Sequence, residues 1–429
     1  MNILILGSGG REHAFAWKIA QSPLCDGLFV APGNAGTALV ATNIPVSYND
    51  FEGVAKAVLE HNIELVIVGP EEPLVNGIVN YFESREDLSK VKLIGPDKDG
   101  AQLEGSKDFS KNFMEKYGIP TAASRTFTSD TFAIGLEYLE TQSLPIVLKA
   151  DGLAAGKGVI IAEKHADAEQ AFKEMLLDGK FGAAGNKVVV EQFLKGIELS
   201  VFVLTDGENY KILPEAKDYK RIGENDTGLN TGGMGAVSPV SFADANFLRK
   251  VEEKVVKPTL HGLQQEGIKY VGFIFIGLMN IKGEPFVIEY NVRMGDPETE
   301  VVLPRIQSDF AMLMASTAKG TLNDFDIKIS PQVAVTTVLV SGGYPGDYEK
   351  GKVITGSDKV DDVHLFHAGT TFNTNTEVVT NGGRVMALTG MANSLENAVH
   401  KSQRAAQVIQ YEGKYFRHDI GMDLIRYND

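Results

Sequence analysis

Four short apolar runs divide the N-terminal part of the chain, and each ends at glycine or proline. They lie at residues 3–6, 28–30, 65–68 and 92–94. Segments of helical length separate them, such as 14–21 and 51–61, and the second follows Asn49 and Asp50, two residues that can cap a helix. Apolar strands that alternate with helices are typical of a parallel sheet. Ligands of such sheets bind beyond the carboxyl ends of the strands, which is where the glycines stand.

The pattern changes after this Rossmann-like part. The 429 residues exceed one ordinary domain of roughly 100–200 residues. A helix is predicted at 107–117, and strand-like runs follow at 146–149, 159–162, 188–192 and 199–204.

A later block contains a polar Gly-rich loop, a long amphipathic stretch and two strands, at 228–235, 243–265, 272–279 and 286–291. The C-terminal hundred or so residues again suggest a small α/β unit, with strands and a helix at 333–340, 364–368, 385–388 and 394–411. We therefore expect an α/β protein with domains at 1–106, 107–330 and 331–429, packed as one body.

Composition narrows the class of function. The formal net charge is −15, which gives no support to a nucleic-acid partner or an acidic membrane surface. Cys25 is the only cysteine, so no intrachain disulfide and no cysteine metal cluster can form. The longest apolar stretch, near 271–281, is shorter than the ~20 residues of a membrane span. We expect a cytoplasmic protein with small-molecule partners, for which a monomer is one of the open states.

The first motif is GSGGREH at 7–13, between the first strand and the first helix. Glycines there let the backbone approach a ligand, and a helix N-terminus offers free amides to an anion. The dinucleotide fingerprint requires glycine where this chain has Glu12. A plain tight turn is an equally good interpretation of this motif alone. Arg11 favours a phosphate, and residues 31–37 offer a second glycine loop.

The second motif runs from Lys149 to Val159. A lysine ends a strand, a loop of small residues follows with Lys157 near its tip, and another strand begins. Such a hairpin can fold over a triphosphate, since its amides and lysines offset negative charge. A Walker A loop leads into a helix, whereas this loop leads into a strand. The alternative is an ordinary Gly-rich hairpin with surface lysines.

Two further motifs carry carboxylates. Glu191 ends a strand beside apolar residues, and Glu198 follows seven positions later; the pair suits adenine and ribose, although a solvent-facing pair is at least as good a local interpretation. Glu289 and Asn291 are two apart, so on a strand they share a face. One carboxylate and one amide oxygen suit magnesium, which completes its shell with phosphate and water. Arg293 can grip a phosphate or carboxylate; a structural acid–base network is the alternative.

These parts, in this order, are those of an ATP-grasp site. A lysine strand, a Gly-rich flap, a pair of glutamates and a late Glu-x-Asn strand follow one another over about 150 residues. No serine, cysteine or histidine nucleophile is needed, because a substrate carboxylate attacks ATP itself. The protein then contributes positioning and charge neutralisation.

The whole chain resembles the phosphoribosylamine–glycine ligases (glycinamide ribonucleotide synthetases) of purine biosynthesis. The resemblance lies in GSGGREH (7–13), APGNAGT (31–37), GPEEPL (69–74), QLEGSK (102–107), IVLKADGLAAGKGV (146–159), EQFLKGIE (191–198), NTGGMGA (230–236), GDPET (295–299), SGGYPG (341–346) and FRHDIG (416–421). It implies ATP-dependent ligation of glycine to phosphoribosylamine through glycyl phosphate, and a flap subdomain at about 121–195.

The resemblance also implies site residues. ATP would be bound by Lys107, Lys149, Gly152, Gly156, Lys157, Gly158, Glu191 and Glu198. The substrates would be bound by Gly9, Gly10, Arg11, Glu12, Asn34, Asp218, Lys220, Arg293, Asp296 and Pro297. Catalysis would fall to Arg293, Asp296 and Lys157, and Mg²⁺ or Mn²⁺ would bind Glu289 and Asn291.

The chain departs from the family pattern at four neighbours of these positions: Tyr219, Leu229, Met294 and Glu300. The departures bear on substrate geometry and not on the class of reaction. The strand at 272–279 has no carboxylate, which favours a glycine ligase over the related carboxylases. An ATP-grasp ligase with another acyl donor, or a nucleotide-binding module without catalysis, are the alternatives. An NAD-dependent oxidoreductase fails at Glu12.

Overall fold

The N-terminal part folds around the expected parallel sheet. The computed structural model describes residues 1–153 and 158–428. The sheet has the order β3-β2-β1-β4-β5, and the side chains of residues 3–6 at its centre are fully buried. The elements are β1 Asn2–Gly7, α1 Gly10–Ile19, β2 Gly27–Pro32, β3 Thr42–Asn43, α2 Phe51–Glu60, β4 Leu65–Val68, α3 Glu71–Val75, α4 Ile78–Glu83, β5 Lys92–Ile94, α5 Gln102–Gly105 and α6 Lys107–Lys116.

A second, antiparallel sheet has the order β6-β9-β7-β8. Its elements are β6 Ser124–Thr128, α7 Phe132–Thr141, β7 Ile146–Ala150, β8 Val159–Ala162, α8 His165–Leu176 and β9 Lys187–Gln192. Phe172 is fully buried at its centre, where its ring centroid lies 5.3 Å from that of Phe132 and 5.7 Å from that of Phe127. This unit therefore has a hydrophobic core of its own, separate from the main core.

The third sheet, β11-β10-β16-β17, carries the Glu-x-Asn motif on its edge strand. Pairing between β16 and β17 shifts register after Gly277, which faces Glu289, whereas Leu278 faces Val287. The chain here contains β10 Ile197–Thr205, β11 Tyr210–Ile212, β12 Lys217–Asp218, β13 Arg221–Gly223, β14 Thr227–Asn230, β15 Gly235–Ser238, α9 Ala245–Val251, α10 Lys257–Gln265, β16 Gly272–Ile281, β17 Glu284–Asn291, α11 Thr299–Arg305 and α12 Phe310–Ala318.

The last sheet draws strands from two distant parts of the chain. Its order is β12-β15-β18-β22-β19, so two short strands before residue 240 join three strands after residue 330, and β15 pairs directly with β18. The C-terminal elements are β18 Val333–Val340, β19 Val363–His367, β20 Thr370–Phe372, β21 Val378–Thr380, β22 Arg384–Ala392, α13 Leu395–Val408 and α14 Met422–Asn428. One sheet therefore contains strands from both sides of residue 330, the expected boundary between the second and third domains.

Two local predictions need refinement. The Gly-rich segment 228–235 is not all loop, because Thr227–Asn230 pairs with Arg221–Gly223 in an exposed hairpin. The amphipathic stretch is helical, but α9 and α10 are joined by a π-helical turn at Glu252–Val256. Pro258 follows this turn and lacks the amide that a regular helix needs. Within the described residues, the helices are all too short or too polar to cross a membrane.

The separate core of the second sheet leads to a stability prediction. We expect Phe172→Ala to lower the free energy of unfolding by about 3–5 kcal/mol, because truncating a buried aromatic ring leaves a cavity. Urea denaturation measures the loss, and hydrogen exchange should show it concentrated in residues 124–192. Phe372→Ala is the control, since that side chain is 44% exposed. Equal loss of protection in the N-terminal sheet would contradict an independent core.

Candidate active site

The turn between β1 and α1 is filled from inside by a carboxylate. Glu12 accepts the amide of Gly9 at 2.6 Å and Nε of Arg11 at 2.6 Å. Nη1 of Arg11 donates to the carbonyl of Met294 at 3.0 Å. Arg11 is buried, so its guanidinium links this turn to the segment after β17. Gly7 is required here, because a β-carbon on it would overlap the Glu12 side chain.

Asn34 joins the second glycine loop to the N-terminal and the C-terminal parts of the chain. Its Nδ2 donates to the carbonyls of Ser8 and His367, each at 2.9 Å. Its Oδ1 accepts the amides of Gly36 and Thr37 at 2.8 and 2.9 Å. Asn34, which the sequence predicts to bind substrate, thus uses its polar groups within the protein, where they fix this loop against β1 and β19.

Two lysines and one glutamate form the deep end of the nucleotide side. Oε2 of Glu191 lies 3.0 Å from Nζ of Lys149 and 3.2 Å from Nζ of Lys111. Lys149 also donates to the carbonyl of Ile288 at 3.3 Å, which ties β7 to β17. The other carboxylate oxygen of Glu191 is buried without a described partner. That oxygen can accept a hydrogen bond from a ligand, and an adenine amino group is such a donor.

The glycine flap is described only at its two ends. Nζ of Lys107 donates to the carbonyl of Gly152 at 3.2 Å, and the carbonyl of Gly158 accepts the amide of Ala150 at 2.8 Å. Gly156 and Lys157 lie outside the described residues. The base of the hairpin is thereby anchored to α6 and β7.

Glu289 stands among cations. Burial raises the pKa of its carboxyl, but Lys220, Lys149 and Lys107 outweigh burial and hold the pKa below its usual value. Burial lowers the pKa of Lys107, although Glu289 partly offsets that effect. Each charge therefore helps to keep the other ionised. The result is an anionic oxygen ligand surrounded by groups that attract phosphate.

Asn291 adds a neutral oxygen next to this carboxylate. It is buried, and its Oδ1 lies 3.3 Å from Nη2 of Arg293. A carboxylate and an amide oxygen are donors that suit a hard divalent cation. The described residues contain no group of three or more acidic, histidine or cysteine side chains that would hold a metal ion. A cation here would need phosphate and water to complete its shell, as the sequence predicts.

Arg293 is held by two glutamates from the N-terminal part. Its Nη2 lies 2.7 Å from Oε1 of Glu104, and its Nε lies 3.2 Å from Oε2 of Glu71. Burial raises the pKa of Glu104 to about 7. Burial also acts on Glu71, but Arg293 and Arg11 lower its pKa to about 2. The guanidinium is fixed in direction, and it faces the metal-ligand pair through Asn291.

Lys220 forms the opposite wall of the cleft. It makes an ion pair with Glu198 on β10, and its Nζ lies 4.0 Å from Oδ2 of Asp218. Although burial opposes it, Asp218, Glu198 and Glu289 raise the pKa of Lys220 well above its usual value. Burial raises the pKa of Asp218. Glu198 therefore reaches the cleft, where it is bound to a lysine.

Asp296 lies where three parts of the chain meet. Its Oδ2 accepts the amide of Arg11 at 3.4 Å, and its Oδ1 lies 3.1 Å from Nη1 of Arg384 on β22. Burial opposes ionisation of Asp296, but Arg384 and Arg11 hold its pKa low. A β-carbon at Gly9 would lie 3.0 Å from its Oδ2. Pro297 follows and packs against Gly233, whose β-carbon would overlap its ring.

The four departures from the family pattern lie in different surroundings. Leu229 is 65% exposed on the β13–β14 hairpin. Tyr219 and Met294 are buried, and they contribute apolar surface to the core. Glu300 is buried against Gly10 and Asp296; burial and the Asp296 charge raise its pKa well above the usual value. A neutral Glu300 carboxyl can donate to Asp296, as the amide of glutamine would.

Sequence reasoning missed four charged residues of this cleft: Glu71, Glu104, Lys111 and Arg384. Lys111 lies one helical turn after Lys107 in α6, so the i, i+4 spacing was an available signal. Glu71 and Glu104 stand within motifs that carry the resemblance, but no local pattern assigns them to Arg293. For Arg384 the sequence holds no signal, because only the sheet topology brings β22 to Asp296.

Comparison with known proteins agrees with this architecture. Profiles of the phosphoribosylglycinamide synthetase family match the N domain at residues 1–104, the ATP-grasp (A) domain at 105–299 and the C domain at 334–423. The phosphoribosylamine–glycine ligase of Chlorobaculum tepidum is 46% identical over 428 residues, covering 98% of this chain and 99% of that protein. That of Yersinia pestis is 46% identical over 430 residues, covering 99% of each.

Solved structures support the same assignment. The crystal structure of the phosphoribosylamine–glycine ligase from Thermotoga maritima superposes with a TM-score of 0.85 at 36% identity, and the match covers 98% of this chain and 100% of that one. A biotin carboxylase from Campylobacter jejuni reaches 0.74 at 16% identity over 100% and 96% of the two chains, which shows a shared fold only. The chain thus belongs to the phosphoribosylglycinamide synthetase family and has the ATP-grasp fold.

Proposed function

We propose that this protein ligates glycine to 5-phosphoribosylamine at the expense of ATP, giving glycinamide ribonucleotide, ADP and phosphate. The observation that carries the proposal is the group of three lysines, Lys107, Lys149 and Lys220, around the ionised carboxylate of Glu289. Such a group attracts a triphosphate and also provides an anionic ligand for its metal. Family membership and relatives named phosphoribosylamine–glycine ligase support the choice of substrates.

ATP would lie between the second and third sheets. The phosphates would be bound by Lys107, by Lys149 and by the flap ends at Gly152 and Gly158. Gly156 and Lys157, which lie between these ends in the sequence, would bind the phosphates as well. The unpartnered oxygen of Glu191 would accept from the adenine amino group, and Glu198 would accept from the ribose. Burial of Lys149 and Glu191 makes their interactions with the nucleotide stronger than they would be in water.

The reaction has two steps. A carboxylate oxygen of glycine attacks the γ-phosphorus, the bond to ADP breaks, and glycyl phosphate forms. The sugar amine then attacks the acyl carbon, inorganic phosphate leaves, and the nitrogen loses one proton. Arg293 would offset charge on the transferring phosphoryl group. Asp296, which its arginine neighbours keep ionised, would accept a hydrogen bond from the amine and orient it.

Mg²⁺ or Mn²⁺ would bind Glu289 and Asn291. Once bound, the cation neutralises phosphate charge during phosphoryl transfer. On the substrate side, Asp218 and Lys220 would form the wall nearest the cation. Gly9, Gly10, Arg11, Glu12, Asn34 and Pro297 would shape the opposite wall, since most of their own polar groups are already bonded within the protein.

The proposal includes an organisation for the chain. The domains would be residues 1–106, 107–330, with the flap subdomain at about 121–195, and 331–429. The protein would work in the cytoplasm on small molecules, as a monomer.

Measurement of ADP release tests the function. With Mg-ATP, we expect ADP only when glycine and freshly generated phosphoribosylamine are both present, in step with an amide product. Omission of either substrate is the control. ADP release that ignores glycine but responds to bicarbonate or another acid would keep the ATP-grasp chemistry and discard the ligation of glycine.

Removal of the carboxylate at position 289 tests the metal site. We expect Glu289→Ala to lower kcat by about 100-fold or more, because a lost metal ligand costs several kcal/mol of charge stabilisation. Circular dichroism should remain unchanged. Glu284→Gln is the matched control on the same strand, since Glu284 forms only surface ion pairs with Lys250 and Lys254. Turnover within about two-fold of the wild type in Glu289→Ala would end the assignment.

Lys111 gives a pH-dependent prediction. Burial lowers its pKa from 10.5 to about 8, despite the nearby Glu191. Between these values the unfolded chain holds a proton that the folded protein has released, so folding becomes more favourable as pH rises. Relative to Lys111→Met, we expect the free energy of unfolding of the wild type to rise by about 2 kcal/mol from about pH 7.5 to 9.5.

Urea denaturation at several pH values measures this difference. Lys92→Met is the control, because Lys92 is an exposed lysine on the edge strand β5, and its curve should run parallel to that of the wild type. A Lys111→Met curve that also runs parallel would mean that the buried amine stays protonated throughout this range.

A further inference from the structure

Among the described residues of β22, Arg384 is the one that makes polar contacts with Asp296. It makes them through a single nitrogen atom. Nη1 of Arg384 donates to the carbonyl of Gly232 and to that of Asp296, each at 2.6 Å, and lies 3.1 Å from Oδ1 of Asp296. Three oxygens therefore fix this corner of the guanidinium. The arginine is held rigidly, which lowers the entropy cost of binding anything else.

The other edge of the guanidinium is open. Among the described residues, none accepts a hydrogen bond from Nε or Nη2 of Arg384, and neither atom is buried without a partner. The side chain is 22% exposed. The Nε–Nη2 edge offers two parallel N–H groups, a geometry that matches two oxygens of a phosphate or carboxylate.

Gly232 lies against the flat face of this guanidinium. A β-carbon at Gly232 would lie 2.8 Å from Cζ and 3.1 Å from Nε and from Nη2 of Arg384. The residue is exposed and does not have a positive φ, so its backbone conformation does not call for glycine. Its amide donates to the hydroxyl of Tyr344 at 3.0 Å, and the proton of that hydroxyl has no acceptor in the described part of the chain.

The position of Arg384 in the cleft indicates which anion it meets. The groups that act electrostatically on Arg384 are Asp296, Tyr344, Glu300 and Arg11. Those that act on Glu289 are Lys220 and Arg293, together with Lys149 and Lys107 of the nucleotide side. The carboxylate of glycine must reach the γ-phosphate and hence the nucleotide side. The far end of the cleft is left for the phosphate of the sugar amine.

We propose that the open edge of Arg384, with the Tyr344 hydroxyl beside it, binds the phosphate monoester of the sugar substrate. This deepens the proposed function and rests on it for the identity of the sugar. Arg384 thereby has two tasks on its two edges, since one orients Asp296 and the other holds the substrate. Arg384 lies on β22 and Tyr344 in the turn after β18, so the C-terminal part of the chain contributes to recognition of the phosphorylated substrate.

Calorimetric titration with ribose 5-phosphate tests the site without turnover. We expect Arg384→Ala to weaken binding by about 10- to 100-fold, the usual cost of losing charged hydrogen bonds. Gly232→Ala should weaken it as well, because the added methyl group would lie 2.8 Å from Cζ of Arg384 and push the guanidinium out of position while Arg384 remains. Unphosphorylated ribose should bind the wild type far more weakly than ribose 5-phosphate does.

Controls separate this site from general damage and from the proposed reaction. Arg404→Ala removes an exposed arginine on α13, in the same C-terminal part of the chain. This variant should bind ribose 5-phosphate like the wild type. In turnover, Arg384→Ala and Gly232→Ala should leave the KM values for ATP and glycine within about two-fold. Unchanged ribose 5-phosphate affinity in both variants overturns the proposal, as does a raised KM for glycine alone. A wild type that binds ribose 5-phosphate but forms no amide would refute only the proposed reaction.

Discussion

Charge held away from water is the constraint on which this cleft depends. Desolvation costs several kcal/mol per ion unless an opposite charge or hydrogen bonds compensate. Lys149 meets that cost through Glu191 and the carbonyl of Ile288, and Glu289 meets it through three lysines. Positive and negative groups alternate across the cleft. A bound triphosphate with its cation would enter this arrangement as one more pair of opposite charges.

The glycines of the N-terminal turn have a role that their sequence pattern does not reveal. Gly9 and Gly10 lie against the carboxyl groups of Asp296 and Glu300, and a side chain at either position would crowd them. Their first effect is thus to let the N-terminal turn approach the segment after β17. Glu12 accepts a hydrogen bond from the amide of Gly9, a backbone donor of the kind that binds phosphate in dinucleotide-binding turns. The motif that suggests a ligand-binding loop thus forms a turn that packs against another part of the protein.

The sequence was a good guide where chemistry is local. Apolar runs ended by glycine located β1, β2, β4 and β5, and the two-residue spacing placed Glu289 and Asn291 together at one end of β17. It was a poor guide where contact depends on topology. Glu104 meets Arg293 across 189 positions, and Arg384 meets Asp296 across 88. No periodicity records such distances, because sheet order and helix packing create them.

The sheet β12-β15-β18-β22-β19 has a consequence for how the chain can be divided. β15 pairs with β18 from Gly235 to Ser238, so the C-terminal strands have a neighbour from the middle of the chain along this edge. A fragment that began after residue 330 would leave that edge of β18 without its partner, and unpaired edges invite association with other chains. The same break would leave an unpaired edge on β15 as well, so both fragments would present a strand edge to which another chain can pair.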